Sequence, residues 1–265
     1  MADADSEVPV ALTIAGSDSG GGAGIQADLL TFAAFGVFGT TAITCVTAQN
    51  PDGVRAVEAM APEFVRAQLD AVSDYFALRA LKTGMLYNRE IIVEAAGFLE
   101  RNPGVPAVVD PVMVSTSGAL LLREDAVAVL REELLPRAAL ITPNCDEIRV
   151  LLGSQPESHD ALLAAAEELS RGTGTAVLAK GGHLPDRMVC DVLAVPGESP
   201  RSFRRDRIAD VNTHGGGCTL AAAIAAGLAR GNPLPNAVTR ALDYVATAMH
   251  RPIQVAGNRF ISRFA

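Results

Sequence analysis

The sequence lacks several features that mark special classes of protein. Tryptophan is absent and aromatic residues make up only 5% of the 265 residues, so a core must be built mainly from Ala, Val, Leu and Ile. The hydrophobic fraction of 49% is enough for one substantial α/β domain. Acidic residues outnumber basic ones, and the net charge of −8 argues against nucleic acid or an anionic membrane surface as the partner.

Paired cysteines and long apolar segments are also missing. Cys45, Cys145, Cys190 and Cys218 are far apart and form no C-x-x-C motif, so we expect reduced thiols rather than disulfides or a zinc site. No segment approaches the roughly 20 apolar residues of a membrane span, and residues 1–7 lack the basic start of a signal peptide. We therefore expect a cytoplasmic protein.

Apolar runs alternate with helical patterns, which predicts an α/β fold with a mostly parallel sheet between layers of helices. We expect a disordered tail at residues 1–9 and a single domain over residues 10–265. The predicted strands cover residues 10–15, 40–48, 54–60, 78–83, 107–110, 140–142 and 176–180, with a hairpin of 188–195 and 201–208. The predicted helices cover residues 25–32, 62–75, 90–101, 123–135, 160–171 and 235–250, with others beginning near 147 and after 217.

The most informative stretch is Asp210–Thr219, in which three glycines lead into an alanine-rich apolar run. This pattern predicts a loop that enters the first turn of a buried helix, whose free N–H groups and dipole favour an anion. We expect a phosphate site with the Cys218 thiol beside it. A thiol at a helix N-terminus is expected to have its pKa lowered from about 8.5. The alternative is an ordinary glycine-rich loop in which Cys218 packs as a small hydrophobe.

A second glycine-rich loop, Gly16–Gly24, follows the first predicted strand and precedes a predicted helix. Strand, glycine loop and helix are also the layout of a dinucleotide-binding turn, but with so many glycines the match to G-x-G-x-x-G is weak. The next predicted strand carries no acidic residue at its end to bind a ribose, because it leads into Gln49-Asn50-Pro51. The sequence therefore does not favour a dinucleotide site.

Polar side chains follow the predicted strands at their carboxyl ends, where parallel sheets bind ligands. These positions are Asp18, Gln49, Met85, Asp110, Asn144, Glu147, Lys180 and the Cys218 loop. We expect them to converge on one crevice.

Most of these residues also have a purely structural interpretation. Asp18 and Asn144 can cap the helices that follow them, and Asp110 can be satisfied by an Asp-Pro turn. Lys180 is harder to explain in this way, because it must either reach solvent or find an anion. His183 and His214 are interpreted as structural donors.

Seven motifs together resemble a known family. They are residues 12–28, 46–50, 82–86, 109–113, 141–147, 180–183 and 213–219, in the family's order. The chain resembles the hydroxymethylpyrimidine/phosphomethylpyrimidine kinases, thiamin-pathway members of the ribokinase superfamily. The resemblance implies a ribokinase-like three-layer αβα sandwich, usually dimeric. It also implies two successive phosphorylations of 4-amino-5-hydroxymethyl-2-methylpyrimidine, both dependent on ATP and Mg²⁺.

The same resemblance implies a role for each matching residue. Cys218 is the expected base, and Lys180, Asn144 and Thr213 are expected to face the ATP phosphates. The expected anion hole is Gly215, Gly216 and Gly217. Asp110 and Glu147 are expected near Mg²⁺, through water. The residues expected to line the pyrimidine pocket are Gly16, Ala23, Asp28, Gln49, Met85 and Val112. The Gln49 amide offers a donor and an acceptor together, which suits the edge of an aminopyrimidine.

Two departures from the family are visible. Relatives usually have Thr or Ala at the position of Gly216, so the anion hole of this chain is expected to be looser. Residues 251–265 lack the Gly-His-Gly-Pro-like ending of many relatives, which leaves the role of the tail open.

Three alternative functions remain at this point. A pyridoxal or pyridoxine kinase shares the fold and the chemistry. A non-catalytic pyrimidine-binding protein has no use for Lys180, Asp110, Asn144 and Cys218 together. A hydrolase using Cys218 and His214 lacks an evident orienting acid.

Overall fold

A computed structural model of the chain describes residues 7–113 and 122–264. The strands are β1 (Val10–Asp18), β2 (Phe38–Asn50), β3 (Gly53–Ala59), β4 (Leu78–Thr83), β5 (Ala107–Val109), β6 (Leu140–Ile141), β7 (Ala176–Ala179), β8 (Met188–Ala194), β9 (Arg201–Asp206), β10 (Ile253–Val255) and β11 (Asn258–Phe260). The helices are α1 (Gly24–Ala34), α2 (Pro62–Ser73), α3 (Arg89–Arg101), α4 (Glu124–Val129), α5 (Cys145–Leu152), α6 (His159–Thr173), α7 (Gly216–Ala229) and α8 (Leu234–His250). Of the predicted tail, residues 1–6 lie outside the described residues.

Nine strands form one sheet in the order β3-β2-β1-β4-β5-β6-β7-β8-β9. The strands from β2 to β7 in this order run parallel, whereas β3, β8 and β9 pair antiparallel at the two edges. The predicted α/β fold with a mostly parallel sheet is confirmed, as are the edge strand near residue 54 and the hairpin near residue 190.

Each face of the sheet is covered by its own hydrophobic core, as the apolar strands require. Side chains of β1 alternate between the two cores: Leu12 and Ile14 belong to one, and Ala11 belongs to the other. Helices α2 to α6 cover the first face, and α1, α7 and α8 cover the second. The alanines of α7 are almost completely buried, and their small side chains allow α8 to pack closely over this helix.

Three local features differ from the predictions. The predicted helix 123–135 is a short α4 followed by a π-helical turn, Leu130–Leu134, and a 3₁₀ turn that contains Pro136. The first two strands extend further than predicted and carry Asp18 and Gln49 at their ends. The tail folds into the β10–β11 hairpin, which has no clear strand signal in the sequence.

Candidate active site

Three charged side chains meet beyond the carboxyl ends of neighbouring strands. The Lys180 ammonium, one residue past β7, lies 2.9 Å from Asp110 Oδ1 and 3.8 Å from Glu147 Oε2. Thr142 donates its hydroxyl to the same Asp110 oxygen at 2.9 Å. Because β5, β6 and β7 are adjacent and parallel, their ends deliver these groups to one edge of the sheet. We call Asp110, Glu147 and Lys180 the charged cluster.

The two carboxyls of the charged cluster have opposite pKa shifts. Burial raises the pKa of Glu147 to about 7, because the attraction of Lys180 does not offset the loss of water and the repulsion by Asp110. Burial also disfavours the Asp110 carboxylate, but Lys180 and Lys82 together hold its pKa below the ordinary value. Near neutral pH the cluster therefore carries one firmly ionised carboxylate and one that exchanges a proton readily.

Asn144 and Glu147 form a capping box at the start of α5. Asn144 Oδ1 accepts from the Glu147 amide at 2.9 Å, and Glu147 Oε2 accepts from the Asn144 amide at 2.7 Å. The cap interpretation of Asn144 is confirmed. Within the described residues its side-chain amide nitrogen makes no hydrogen bond, so that donor is available to a ligand.

The first turn of α7 faces the charged cluster. A Cβ added to Gly217 would lie 3.3 Å from Lys180 Nζ and 3.6 Å from Asp110 Oδ2. The amides of Gly217 and Cys218 donate to no carbonyl in the part of the chain that the structure describes, whereas the Gly216 amide donates to the Thr213 carbonyl at 2.9 Å. Of the predicted anion hole, Gly215 and Gly217 therefore have free amides among the described residues, and the Cys218 amide is a further free donor.

Gly215 caps α7 in a left-handed conformation, with φ 75°. A Cβ at this position would lie 1.8 Å from the Gly22 carbonyl oxygen, so only glycine permits the two glycine-rich loops to touch. Thr213 is exposed at the mouth of the same loop.

Beneath the first turn of α7 lies a fully buried ion pair. Lys82 Nζ is 2.8 Å from Asp28 Oδ2, both side chains have 0% exposure, and the Thr13 hydroxyl donates to the same oxygen at 2.6 Å. Asp28, which was predicted to line the pyrimidine pocket, has no exposed surface in the protein without ligands. Lys82 was not predicted as a site residue, although a lysine in the apolar strand β4 indicates a buried anionic partner.

The environment of Cys218 contradicts the predicted effect of the helix on its thiol. Burial raises the pKa of Cys218, Asp28 and Asp110 raise it further, and Lys82 only partly opposes them. The prediction of a lowered pKa is therefore wrong for the protein without ligands. The sequence places the thiol at a helix N-terminus, but it does not reveal that the thiol is buried or that two carboxylates repel its charged form.

The predicted pocket residues around β1 and β4 lie together. Gly16 passes so close to Cys45 that an added Cβ would be 2.7 Å from its Sγ and 3.8 Å from Met85 Cβ. Thr44 donates to the Met85 carbonyl at 2.6 Å, which fixes this segment after β4. Val112 lies two residues past Asp110 and is partly exposed. Gly16 and Met85 thus form one wall.

Gln49 and His214 connect the pocket to the glycine-rich loops. His214 Nε2 lies 3.0 Å from Asp18 Oδ2 and 3.2 Å from Gln49 Nε2. Asp18 accepts from the amides of Gly20, Gly22 and Ala23, the last of which precedes α1. Asp18 is satisfied within its own loop, but it does not cap α1, whose N-cap residue Ala23 has no side-chain cap hydrogen bond. His214 contacts the Asp18 carboxylate, as expected of a structural donor. Because Asp18 is a carboxylate, His214 Nε2 donates to it and cannot also accept from the Gln49 amide, which lies beside the ring without this hydrogen bond.

The Asp110 and Glu147 side chains suit a magnesium ion whose remaining ligands are water and phosphate oxygens. Among residues 7–113 and 122–264, no group of three or more His, Cys, Asp or Glu side chains is arranged to hold a metal ion. Mg²⁺ usually keeps several waters and binds through one or two carboxylates together with substrate phosphates. The Asp110 and Glu147 pair beside the free amides of α7 fits that mode.

Comparison with known proteins agrees with this geometry. The sequence profile described as phosphomethylpyrimidine kinase matches residues 18–261. The chain belongs to this family. The family resemblance seen in the seven motifs is thereby confirmed. One member, the hydroxymethylpyrimidine/phosphomethylpyrimidine kinase of Rhizobium meliloti (strain 1021), is 52% identical over 241 residues, covering 91% of this chain and 90% of the relative.

Another member of the family, from Synechococcus elongatus, is 48% identical and covers 94% of both chains. Among solved structures, an ADP complex of Bacillus subtilis pyridoxal kinase has a TM-score of 0.89 at 34% identity, covering 97% of this chain and 98% of that one. The phosphomethylpyrimidine kinase of Clostridium difficile 630 has a TM-score of 0.81 at 38% identity, covering 92% and 100%. The predicted ribokinase-like fold is confirmed.

Two further sequence predictions have outcomes in the structure. The four cysteines are free, so no disulfide forms among them. In the described residues no helix combines the length and the apolar character needed to cross a bilayer.

Proposed function

We propose that this chain is an ATP-dependent kinase that phosphorylates 4-amino-5-hydroxymethyl-2-methylpyrimidine and then its monophosphate to the diphosphate, in thiamin biosynthesis. The observation that carries the proposal is the position of the Lys180 ammonium, which lies between two buried carboxylates and the free amides of α7. Phosphoryl transfer requires mainly positioning and neutralisation of charge, and this arrangement supplies both. Family membership and the activity given for the relatives support the same reaction.

In this proposal the terminal phosphates of ATP bind at the first turn of α7. The amides of Gly217 and Cys218 donate to phosphate oxygens, and Lys180 neutralises their charge. Gly215 and Gly216 shape the loop that presents these amides, and Thr213 and the Asn144 amide group add donors at its edges. Asp110 and Glu147 would hold Mg²⁺, through water. When bound, the ion screens the negative charge of the phosphates.

Cys218 accepts the proton in the first transfer. The alcohol oxygen of the pyrimidine attacks the γ-phosphorus, the bond to the β-phosphate oxygen breaks and ADP leaves, while the hydroxyl proton passes to the Cys218 sulfur. Because burial raises the thiol pKa, its thiolate is a scarce but strong base. In the second transfer the acceptor is a phosphate group, largely ionised at pH 7 because its second pKa is about 6. The second transfer therefore depends less on Cys218 as a base, because its acceptor has already lost its proton.

The pyrimidine is proposed to bind against Gly16, Ala23, Met85 and Val112. The Gln49 amide rotates from His214 to the edge of the ring. Asp28, which is fully buried, acts only through its ion pair with Lys82 below the pocket.

Pyridoxal or pyridoxine kinase is the second candidate, and specific structures favour it. Solved pyridoxal kinases from Bacillus subtilis and Staphylococcus aureus have TM-scores of 0.89 and 0.88, at 34% and 32% identity. The discriminating experiment measures ADP release with the pyrimidine alcohol, its monophosphate and pyridoxal as acceptors. Turnover of both pyrimidines, well above that of pyridoxal, supports the first proposal. The reverse order favours the second.

The remaining alternatives are less compatible with the contacts at the site. His214 is hydrogen-bonded to Asp18, and no hydrogen bond of the described residues joins it to Cys218, which argues against a Cys-His hydrolase. A pyrimidine-binding protein without activity leaves the charged cluster unexplained. We further propose that the chain is cytoplasmic, that residues 10–265 form one kinase domain, and that it assembles as a homodimer, which light scattering would test.

A further inference from the structure

The C-terminal tail places an arginine beneath both glycine-rich loops of the candidate site. Arg263 Nε donates to Thr219 Oγ1 at 2.7 Å. Its Nη2 donates to the Gly22 carbonyl at 2.6 Å and to the His214 carbonyl at 3.4 Å. Gly22 belongs to the loop before α1, and His214 belongs to the loop before α7. One guanidinium therefore connects the loop of the pyrimidine pocket to the loop of the phosphate site.

The backbone around Arg263 is fixed independently of its side chain. Tyr244 donates its hydroxyl to the Arg263 carbonyl at 3.2 Å, and the Ser262 amide donates to the Ala248 carbonyl at 3.1 Å, both on α8. Ile261 is 1% exposed and packs 3.4 Å from the position of a Cβ on Gly216. Because the tail is docked on α8, the guanidinium is delivered to a defined position.

The two segments that Arg263 connects are rich in glycine. Gly215, Gly216 and Gly217 are consecutive, and glycine loses more conformational freedom on ordering than any other residue. An added Cβ on Gly215 would lie 2.5 Å from Arg263 Nη2, so the guanidinium occupies the space beside this backbone. We infer that Arg263 supplies the restraint that the three glycines lack.

The charge of Arg263 is also unusual for a buried side chain. The residue is 7% exposed, and its hydrogen-bond acceptors are two carbonyls and a hydroxyl, none of them charged. In the described residues it forms no salt bridge, although buried cations are normally paired with anions. The positive charge of Arg263 therefore adds to the positive electrostatic potential at the first turn of α7. The negative charge of a phosphate group bound there would offset both.

We propose that Arg263 is a positioning residue for phosphoryl transfer, which holds the two glycine-rich loops in register and adds positive charge behind the phosphate site. This inference rests on the proposed kinase function. If the loops move apart, the acceptor hydroxyl and the γ-phosphate lose alignment, and a misplacement of about 1 Å can cost about 100-fold in rate.

The test compares Arg263→Met, Arg263→Lys and a matched control, Arg259→Met, whose side chain is exposed in the same tail. Arg263→Met is expected to lower kcat for both phosphorylations by about 10- to 100-fold per folded molecule, with a smaller change in KM. Arg263→Lys retains the positive charge but loses the two-nitrogen hydrogen-bonding geometry of the guanidinium. Its kcat should therefore lie between those of Arg263→Met and the parent protein. Arg259→Met should stay within about twofold of the parent protein, as expected for an exposed substitution.

Hydrogen–deuterium exchange gives a readout that does not depend on activity. Peptides covering residues 19–24 and 212–218 should exchange faster in both Arg263 variants than in the parent protein. Their exchange rates should be unchanged in Arg259→Met. If Arg263→Met does not fold, Arg263→Lys decides the matter by the same two measurements. Unchanged exchange in the loops, or unchanged kcat in a folded variant, would overturn the inference. A parent protein without kinase activity would instead refute the proposed function. The exchange data would still test whether Arg263 holds the two glycine-rich loops together.

Discussion

The Lys180 ammonium lies 3.3 Å from the position that a Cβ on Gly217 would occupy. The end of β7 and the first turn of α7 therefore form opposite walls of one narrow crevice. Asp110 and Glu147 hold the ammonium from the other side, and Gly181 behind it donates its amide to the buried Asp191 carboxylate at 2.8 Å. The position of Lys180 is thus set by several independent contacts.

Gly217→Ala should impair the phosphate site. The added methyl group would lie tightly against Lys180 Nζ, so the ammonium must shift from its place between Asp110 and the α7 amides. We expect kcat/KM for the pyrimidine alcohol to fall by about 10- to 100-fold, as for misplaced catalytic groups in general. Steady-state ADP release measures this loss.

Gly216→Ala is the matched control. A Cβ there lies 3.4 Å from Ile261 Cδ1, an ordinary contact, and the backbone is not left-handed. The substitution should raise the free energy of unfolding by about 0.4–1 kcal/mol through lower entropy of the unfolded chain, with activity retained. Equal damage from both substitutions would contradict the proposed geometry.

Cys218→Ala should distinguish the two chemical steps. If the thiolate is the base for the alcohol, the first phosphorylation should fall by roughly 10²- to 10⁴-fold, and the second clearly less. Initial rates with the alcohol and with its monophosphate give the two values. Equal losses, or full activity in the first step, would refute the role of the thiol.

The pH dependence of the first step follows from the raised pKa of Cys218. Only the thiolate accepts a proton, and below the pKa its fraction rises about tenfold per pH unit. The first-step rate should therefore increase with pH through the neutral range, and this slope should disappear in Cys218→Ala. A parent profile that is flat above neutral pH would contradict a thiol of raised pKa acting as base.

Glu147 should make stability fall as pH rises in the protein without metal or nucleotide. Its folded-state pKa is about 7, against 4.5 for the free residue. Between these values the folded protein keeps a proton that the unfolded chain has lost, so the free energy of unfolding decreases with pH. Urea unfolding with EDTA between about pH 5 and 7 should show this decrease in the parent but not in Glu147→Gln. Glu168→Gln, an exposed control, should behave as the parent does.

The buried Lys82–Asp28 pair should be sensitive to the loss of one partner. Asp28→Asn leaves the lysine charge buried without an anion and should cost about 3–5 kcal/mol. The double variant Asp28→Leu/Lys82→Met removes both charges and should be less destabilised than Asp28→Asn. As a surface control, Arg66→Ala breaks the pair with Glu94 and should cost about 0–1 kcal/mol. Urea unfolding compares them, and a loss below about 1 kcal/mol in Asp28→Asn would contradict this view of the pair.

Much of the fold was predictable because its signals are local. Apolar runs and turn residues located the strands of the central sheet, and the parallel order explained why Asp110 and Lys180 meet. The glycines before α7 indicated a helix whose N-terminus is free to bind an anion. These inferences depend only on residues close in sequence and on a general property of parallel sheets.

What could not be predicted depends on distant contacts. Arg263 and Gly22 are 241 residues apart, and nothing in the short tail indicates where it docks. Lys82 and Asp28 are 54 residues apart, so their pairing and the burial of Asp28 were hidden. The thiol pKa of Cys218 was predicted in the wrong direction because the burial that raises it, and the lesser effects of Asp28 and Asp110, come from elements distant in sequence.

The most direct test of the central claim is ADP release by the parent protein and by Lys180→Met, with the pyrimidine alcohol and its monophosphate as acceptors. A single crevice that neutralises the transferred phosphate in both steps predicts turnover of both acceptors by the parent. It also predicts losses of about 10²- to 10³-fold for both acceptors in the variant, as for other removed transition-state donors. Parent protein that turns over neither acceptor, or a Lys180→Met variant that retains its activity, would contradict the account.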